Sequence, residues 1–304
     1  MSYINSQYGD YLDMYKLKFD VKADYPTVSQ LVPLIDSLNL YYIRGGNANL
    51  MPSDRKEITI SWFHTSYRTK NNFNYSIELK AGLSNNYFAD SIITDSFGRT
   101  SIYTVNAAGR KYLRISGKIN KALKFNKINQ LQLSASPSFA LESSPNSVNG
   151  IWNISNSVNF MSLFNALYTY KDWLTVNFRQ IFYYYSSKQQ VFMSSALQND
   201  FQETLLSVNC IVRKKLTISS DIKFNSNNSS QGQLNKFTIW NANIGYRFFS
   251  NNSLELKVSA LDLLHENNAI VYYGSGNKIT TGFSNVLQQY FIATVTYYPR
   301  KFGK

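Results

Sequence analysis

Side chains suited to acid–base, nucleophilic or metal chemistry are few in this chain. It has two histidines, His64 and His265, and one cysteine, Cys210. His265 precedes Glu266, which is half of a metal-ligand pair. A zinc centre takes three or four protein ligands, and no second pair stands elsewhere in the sequence. Asp221 and Glu255 are carboxylates of the kind that act as acid and base, but that work needs a shifted pKa in one of them. A lone cysteine rules out a disulfide framework and a cysteine-based metal site. Cys210 reads as a small packing residue. No glycine-rich phosphate loop and no nucleophile elbow occur. The expectation is a chain that is not an enzyme and has neither metal nor cofactor.

The elements that would carry these residues show one pattern. From 215 to 224, Leu216, Ile218, Ile222 and Phe224 alternate with Lys215, Thr217, Ser219, Asp221 and Lys223. A period of two belongs to a strand, whose successive side chains point to opposite faces. The pattern recurs over 15–22, 57–67, 73–81, 112–118, 130–135, 156–170, 173–185, 206–212, 240–248, 254–259 and 289–298. That makes about twelve strands of the length a tilted strand needs to cross a bilayer. Short connections (69–72, 121–126, 171–172, 213–214, 250–252) alternate with long ones (24–54, 85–109, 142–155, 187–200, 225–235, 265–287). Outer-membrane barrels have this asymmetry, with short turns on one side and longer loops on the other. The expected fold is an all-β, antiparallel transmembrane β-barrel over 1–304, without plug or signal peptide.

Composition agrees. Aromatics are 15% and hydrophobic residues 44%, yet mean hydropathy is −0.28. No apolar run is long enough for a membrane helix. Polarity and membrane residence coexist if the polar residues face a lumen. The alternation assigns Lys80, Arg114, Arg179, Asp221, Lys223, Arg247, Glu255 and Lys257 to that face, with Lys18, Asp20 and Glu78. The net charge of +13 raises the question of nucleic acid. The basic residues alternate with apolar ones or sit in short turns such as Lys70, Lys121, Lys124, Lys171, Arg213, Lys214, Arg300, Lys301 and Lys304, with no basic tail. The expectation is no nucleic-acid partner. The first ten residues lack a basic segment followed by an apolar one, so the expectation is that they are not a secretory signal. A barrel without a leader reads as the carboxy-terminal piece of a longer precursor.

Two stretches carry a resemblance. Pro26-Thr-Val-Ser-Gln-Leu-Val-Pro33 followed by Gly46-Asn-Ala-Asn-Leu-Met-Pro-Ser53 resembles the Gly-Asn-Pro-Asn-Leu-Lys-Pro-Glu loop of TonB-dependent outer-membrane receptors. Ala48, Met51 and Ser53 depart from that pattern. The end, Asn285-Val-Leu-Gln-Gln-Tyr-Phe-Ile-Ala-Thr-Val-Thr-Tyr-Tyr-Pro-Arg-Lys-Phe-Gly-Lys304, resembles the closing strand of the related Bacteroidetes-type barrels. The resemblance implies the carboxy-terminal part of a 22-stranded barrel, with eleven strands after the Gly-Asn loop. It implies the cell outer membrane, lipid as surroundings and uptake of a bulky nutrient. The TonB system is implied as a partner only through a plug-bearing amino-terminal part, and a missing barrel half is a further implied partner. Ligand contacts would fall on the long loops 85–109, 187–200 and 265–287; the ligand itself is unassigned. Three alternatives stand: a self-contained small porin or structural barrel, an outer-membrane lipase or protease, and a soluble β-rich protein with a basic surface.

Overall fold

The computed structural model describes all residues except 1, 8, 33–41, 68–71, 192–195, 231–233, 250–251, 268–269, 276–277, 284–286 and 300–304, and in 42, 270–275 and 278–283 it describes backbone alone. Lys70, Arg300, Lys301 and Lys304 lie outside the described residues.

Strong alternation and β-branched or aromatic residues on one face give long strands. In chain order they are β1 (Ser2–Gln7), β2 (Tyr11–Asp24), β3 (Tyr42–Gly45), β4 (Ser53–Ser66), β5 (Asn72–Asn85), β6 (Tyr87–Thr94), β7 (Thr100–Ala107), β8 (Arg110–Lys124) and β9 (Asn129–Val148). There follow β10 (Ile151–Tyr170), β11 (Leu174–Gln189), β12 (Leu197–Val212), β13 (Leu216–Ser229), β14 (Asn235–Phe248), β15 (Leu254–Leu261), β16 (Ile270–Ser275), β17 (Lys278–Phe283) and β18 (Tyr290–Tyr297). One helical turn, Val28–Leu31, starts from a Thr27–Gln30 capping box.

The fold is all-β. The wall runs β1-β2-β4-β5-β8-β9-β10-β11-β12-β13-β14-β15-β18, each strand antiparallel to the next. Such neighbour-to-neighbour order is that of an up-and-down barrel wall. Among the described residues β1 and β18 pair on one side only, so the wall is open there. All twelve expected strands are present. The structure adds β1, β3, β6, β7, β16 and β17.

Most of these additions fall where the alternation lapses, in segments expected to be long loops. Residues 142–155 are not a loop: β9 and β10 continue to a turn at Asn149 and Gly150, both at positive φ (48° and 79°), as a two-residue hairpin turn prefers. Polar residues on both faces hide such a strand from a periodicity argument. In 85–109 the β6–β7 hairpin pairs with β3 and, through Ser91 and Ile92, with β9. This small sheet is a cap with an apolar interior of Leu50, Ala89, Ile102 and Ala107. Asn47 of the Gly-Asn loop donates to the Thr104 carbonyl (3.1 Å) and accepts from the Asn49 amide (3.0 Å). From 265–287, β16 and β17 form a separate hairpin packed against β11–β13.

Candidate functional site

Registers decide which side chains share a face, because directly paired residues point the same way. The row Leu17–Ile60–Leu79–Ile115–Phe139–Phe160 crosses six strands on one face. The row Lys18–Thr59–Lys80–Arg114–Ala140–Asn159 crosses the same strands on the other. The apolar face is uncovered: Ile60 is 49% exposed, Ile115 44%, Leu206 42% and Ile244 49%. On the polar face Thr59, Ser187, Asn199 and Asn227 are 0–8% exposed. The wall therefore curls around its polar face.

All eight residues assigned to the lumen lie on that polar face. The structure joins some of them. Lys80 and Arg114 are cross-strand neighbours, and Lys80 Nζ pairs with Glu78 (2.7 Å). Arg179 Nη2 reaches Glu203 Oε1 at 2.8 Å, and Lys223 Nζ lies 3.7 Å from Glu203 Oε2. Asp221 accepts from Asn241 Nδ2 (2.9 Å). Arg247 Nε donates to Glu255 (2.7 Å), and Lys257 faces Gly245. Asp221 and Glu255 are not brought together. On β14 their partners Asn241 and Arg247 are six residues apart, about 20 Å along a strand, so they form no acid–base pair.

Sequence reasoning missed several members. Glu203 bridges two of the assigned cations, and its parity with Ser207 and Asn209 was the available signal. Tyr112 donates to Glu57 Oε2 (2.5 Å), its ring lying over Gly82, where any Cβ would collide with it. Arg110 pairs with Glu142 (2.9 Å) and stacks on the Tyr87 and Tyr112 rings. Nearby, Gln189 Oε1 accepts from Asn146 and Asn153, while its Nε2 donates to Ser155, itself 2.8 Å from Ser187. Asn199 is fully buried, and neither atom of its amide has a partner among the described residues.

The residues that opened the search for chemistry sit elsewhere. His64 Nδ1 is 2.8 Å from Asp13, which also accepts from Trp62 Nε1 (3.1 Å). These three lie on the apolar face at the short-turn end, within an aromatic belt of Tyr11, Tyr15 and Tyr75. Glu266 accepts from the Thr238 amide (2.9 Å). Cys210 pairs across to Leu174 and Ile218 on the apolar face. No group of three or more His, Cys, Asp or Glu gathers among the described residues.

No family model matches the chain, and a search of curated proteins finds no match. Among solved structures it is similar to the ferric yersiniabactin uptake receptor FyuA from Yersinia pestis, with a TM-score of 0.47 and 8% identity over 98% of this chain and 49% of that one. The chain spans about half the length of that receptor.

Proposed function

We propose that the chain is the bilayer-spanning wall of an outer-membrane transport barrel, part of a receptor for uptake of a bulky nutrient. The observation that carries this reading is the uncovered apolar face. Soluble monomers rarely expose contiguous apolar patches beyond a few hundred Å², whereas here Leu, Ile, Val and Phe stand exposed across the wall from β2 to β18. In lipid every backbone polar group must be paired, which an antiparallel wall achieves everywhere but at its two edges. The aromatic belt at the short-turn end suits the membrane–water interface.

The polar face supplies the transport path. Its ion pairs fix a hydrated wall with both signs of charge. The bulky-nutrient reading rests on the open edges: strands from a further barrel half would close a wide lumen, and barrels of about 22 strands hold a plug where those of about 16–18 leave an open channel. TonB coupling would come through a plug-bearing part. The cap, the β9–β10 tip and the β16–β17 hairpin cluster at the long-loop end, where ligand would first arrive.

The test is refolding of the full chain with detergent and with lipid vesicles. The expected result is flotation with vesicles that survives a urea wash. A compact band on unboiled gels would mean the wall closes alone, which favours the porin alternative over the receptor. A monodisperse, soluble protein without detergent would overturn the membrane reading.

A further inference from the structure

Three lysines occupy one row of the apolar face. Lys56 pairs across to Leu83, Leu83 to Lys111, Lys111 to Ser143, Ser143 to Asn156, and Asn156 to Lys188. Each lysine lies at the long-loop end of its strand, and each is exposed. None has an ion-pair partner among the described residues, and the row holds no carboxylate. The nearest acids on that face are Asp54, two positions beyond Lys56, and Asp200, in another row. Directly beneath the lysines runs the row Phe19–Ile58–Ala81–Leu113–Leu141–Val158. The two rows line a groove of about 1110 Å³ on the outside of the wall.

Below the lysines, on β4, β5 and β8–β11, this face is predominantly apolar, so the lysines need a reason. A cation beside hydrocarbon is costly unless it reaches water or an anion. Two strand spacings separate Lys56 from Lys111 and three separate Lys111 from Lys188, about 10 and 14 Å. That is too far for one phosphate to bind all three. It suits several headgroups side by side, or one headgroup with more than one phosphate.

We infer that this row is a seat for phosphorylated lipid headgroups of the leaflet at the long-loop end, whose acyl chains fill the groove below. The inference rests on the membrane reading. The occupant is lipid rather than a free anion because the apolar floor continues directly from the lysine row.

The experiment incorporates the full chain into phosphatidylcholine discs containing a minor fraction of phosphatidic acid, re-extracts it in neutral detergent, and measures each retained lipid. Wild type should be enriched in phosphatidic acid. The triple variant Lys56→Gln, Lys111→Gln, Lys188→Gln should lose that enrichment at least about fivefold, since one basic residue at an anionic leaflet contributes roughly that factor. A control with Lys121→Gln, Lys171→Gln and Lys214→Gln at the short-turn end should keep it. Equal enrichment in the first triple variant, no enrichment in wild type, or elution by inorganic phosphate would each overturn the seat. Failure to enter discs of either composition would instead overturn the membrane reading, and the seat with it.

Discussion

Glu203 stands between Arg179 and Lys223, each about one third exposed, and is itself the more buried partner. Its replacement by alanine leaves two facing cations without their shared anion. The expected loss is about 1 kcal/mol, reduced from the value for a buried pair by solvent screening, and is read from urea titration of the folded band in micelles. Asn199 is the opposite case. Its amide is fully buried without a partner among the described residues, and burying such a group costs roughly 1–3 kcal/mol. Asn199→Val should therefore raise stability in the same titration. A loss instead would show that the amide is held by a group outside the described residues. At the β12–β13 turn, Arg213 and Lys214 both adopt positive φ (48° and 59°), where Asn and Gly are favoured. The pair Arg213→Asn, Lys214→Gly should stabilise by roughly 0.5–1 kcal/mol.

The cap depends on side-chain staples between elements. Asn106 of β7 exchanges two hydrogen bonds with the Met51 backbone and donates to the Asn86 carbonyl, all at 2.8 Å. Asn106→Ala should speed amide exchange across β6, β7 and residues 46–52 while leaving β10–β13 protected. The hairpin tip adds a pH dependence. Burial opposes the charge of Asp95, but donors from the Arg99 and Phe97 amides and the Arg99 guanidinium outweigh it and hold its pKa below 3.8. A depressed carboxylate contributes stability above its unfolded pKa and loses it as pH falls through the folded value. Tip protection in hydrogen exchange should thus persist at neutral pH and fall below pH 3.8, and Asp95→Asn should remove that step.

Over the whole molecule, the two faces of one wall must meet different surroundings. A lysine at Ile115 or Leu206 on the apolar face should cost about 2–4 kcal/mol of folding into vesicles, the depth-dependent penalty at a bilayer midplane. A lysine at Ser116 or Ser207, one residue away on the polar face, should cost far less. Similar costs at both positions would mean that neither face sees lipid. The 20-residue strands β9 and β10 exceed the ten or so residues a crossing requires. On the proposed membrane reading their ends would project past the bilayer, next to the cap.

The sequence by itself determined the strands that alternate, such as 215–224 and 240–248, and the face on which Arg179, Lys223 and Lys257 lie. Alternation is a local property: each residue's side follows from its neighbour's. The same reasoning failed at 142–148 and 197–203, where polar residues on both faces erase the period, and at β1, which holds too few apolar residues to show one. Only the tertiary structure decided that Glu203 bridges Arg179 to Lys223, that Asp221 and Glu255 stand apart, and that Lys56, Lys111 and Lys188 form one row. Those relations depend on register between strands distant in sequence, and a shift of one residue would turn every side chain of a strand to the opposite face.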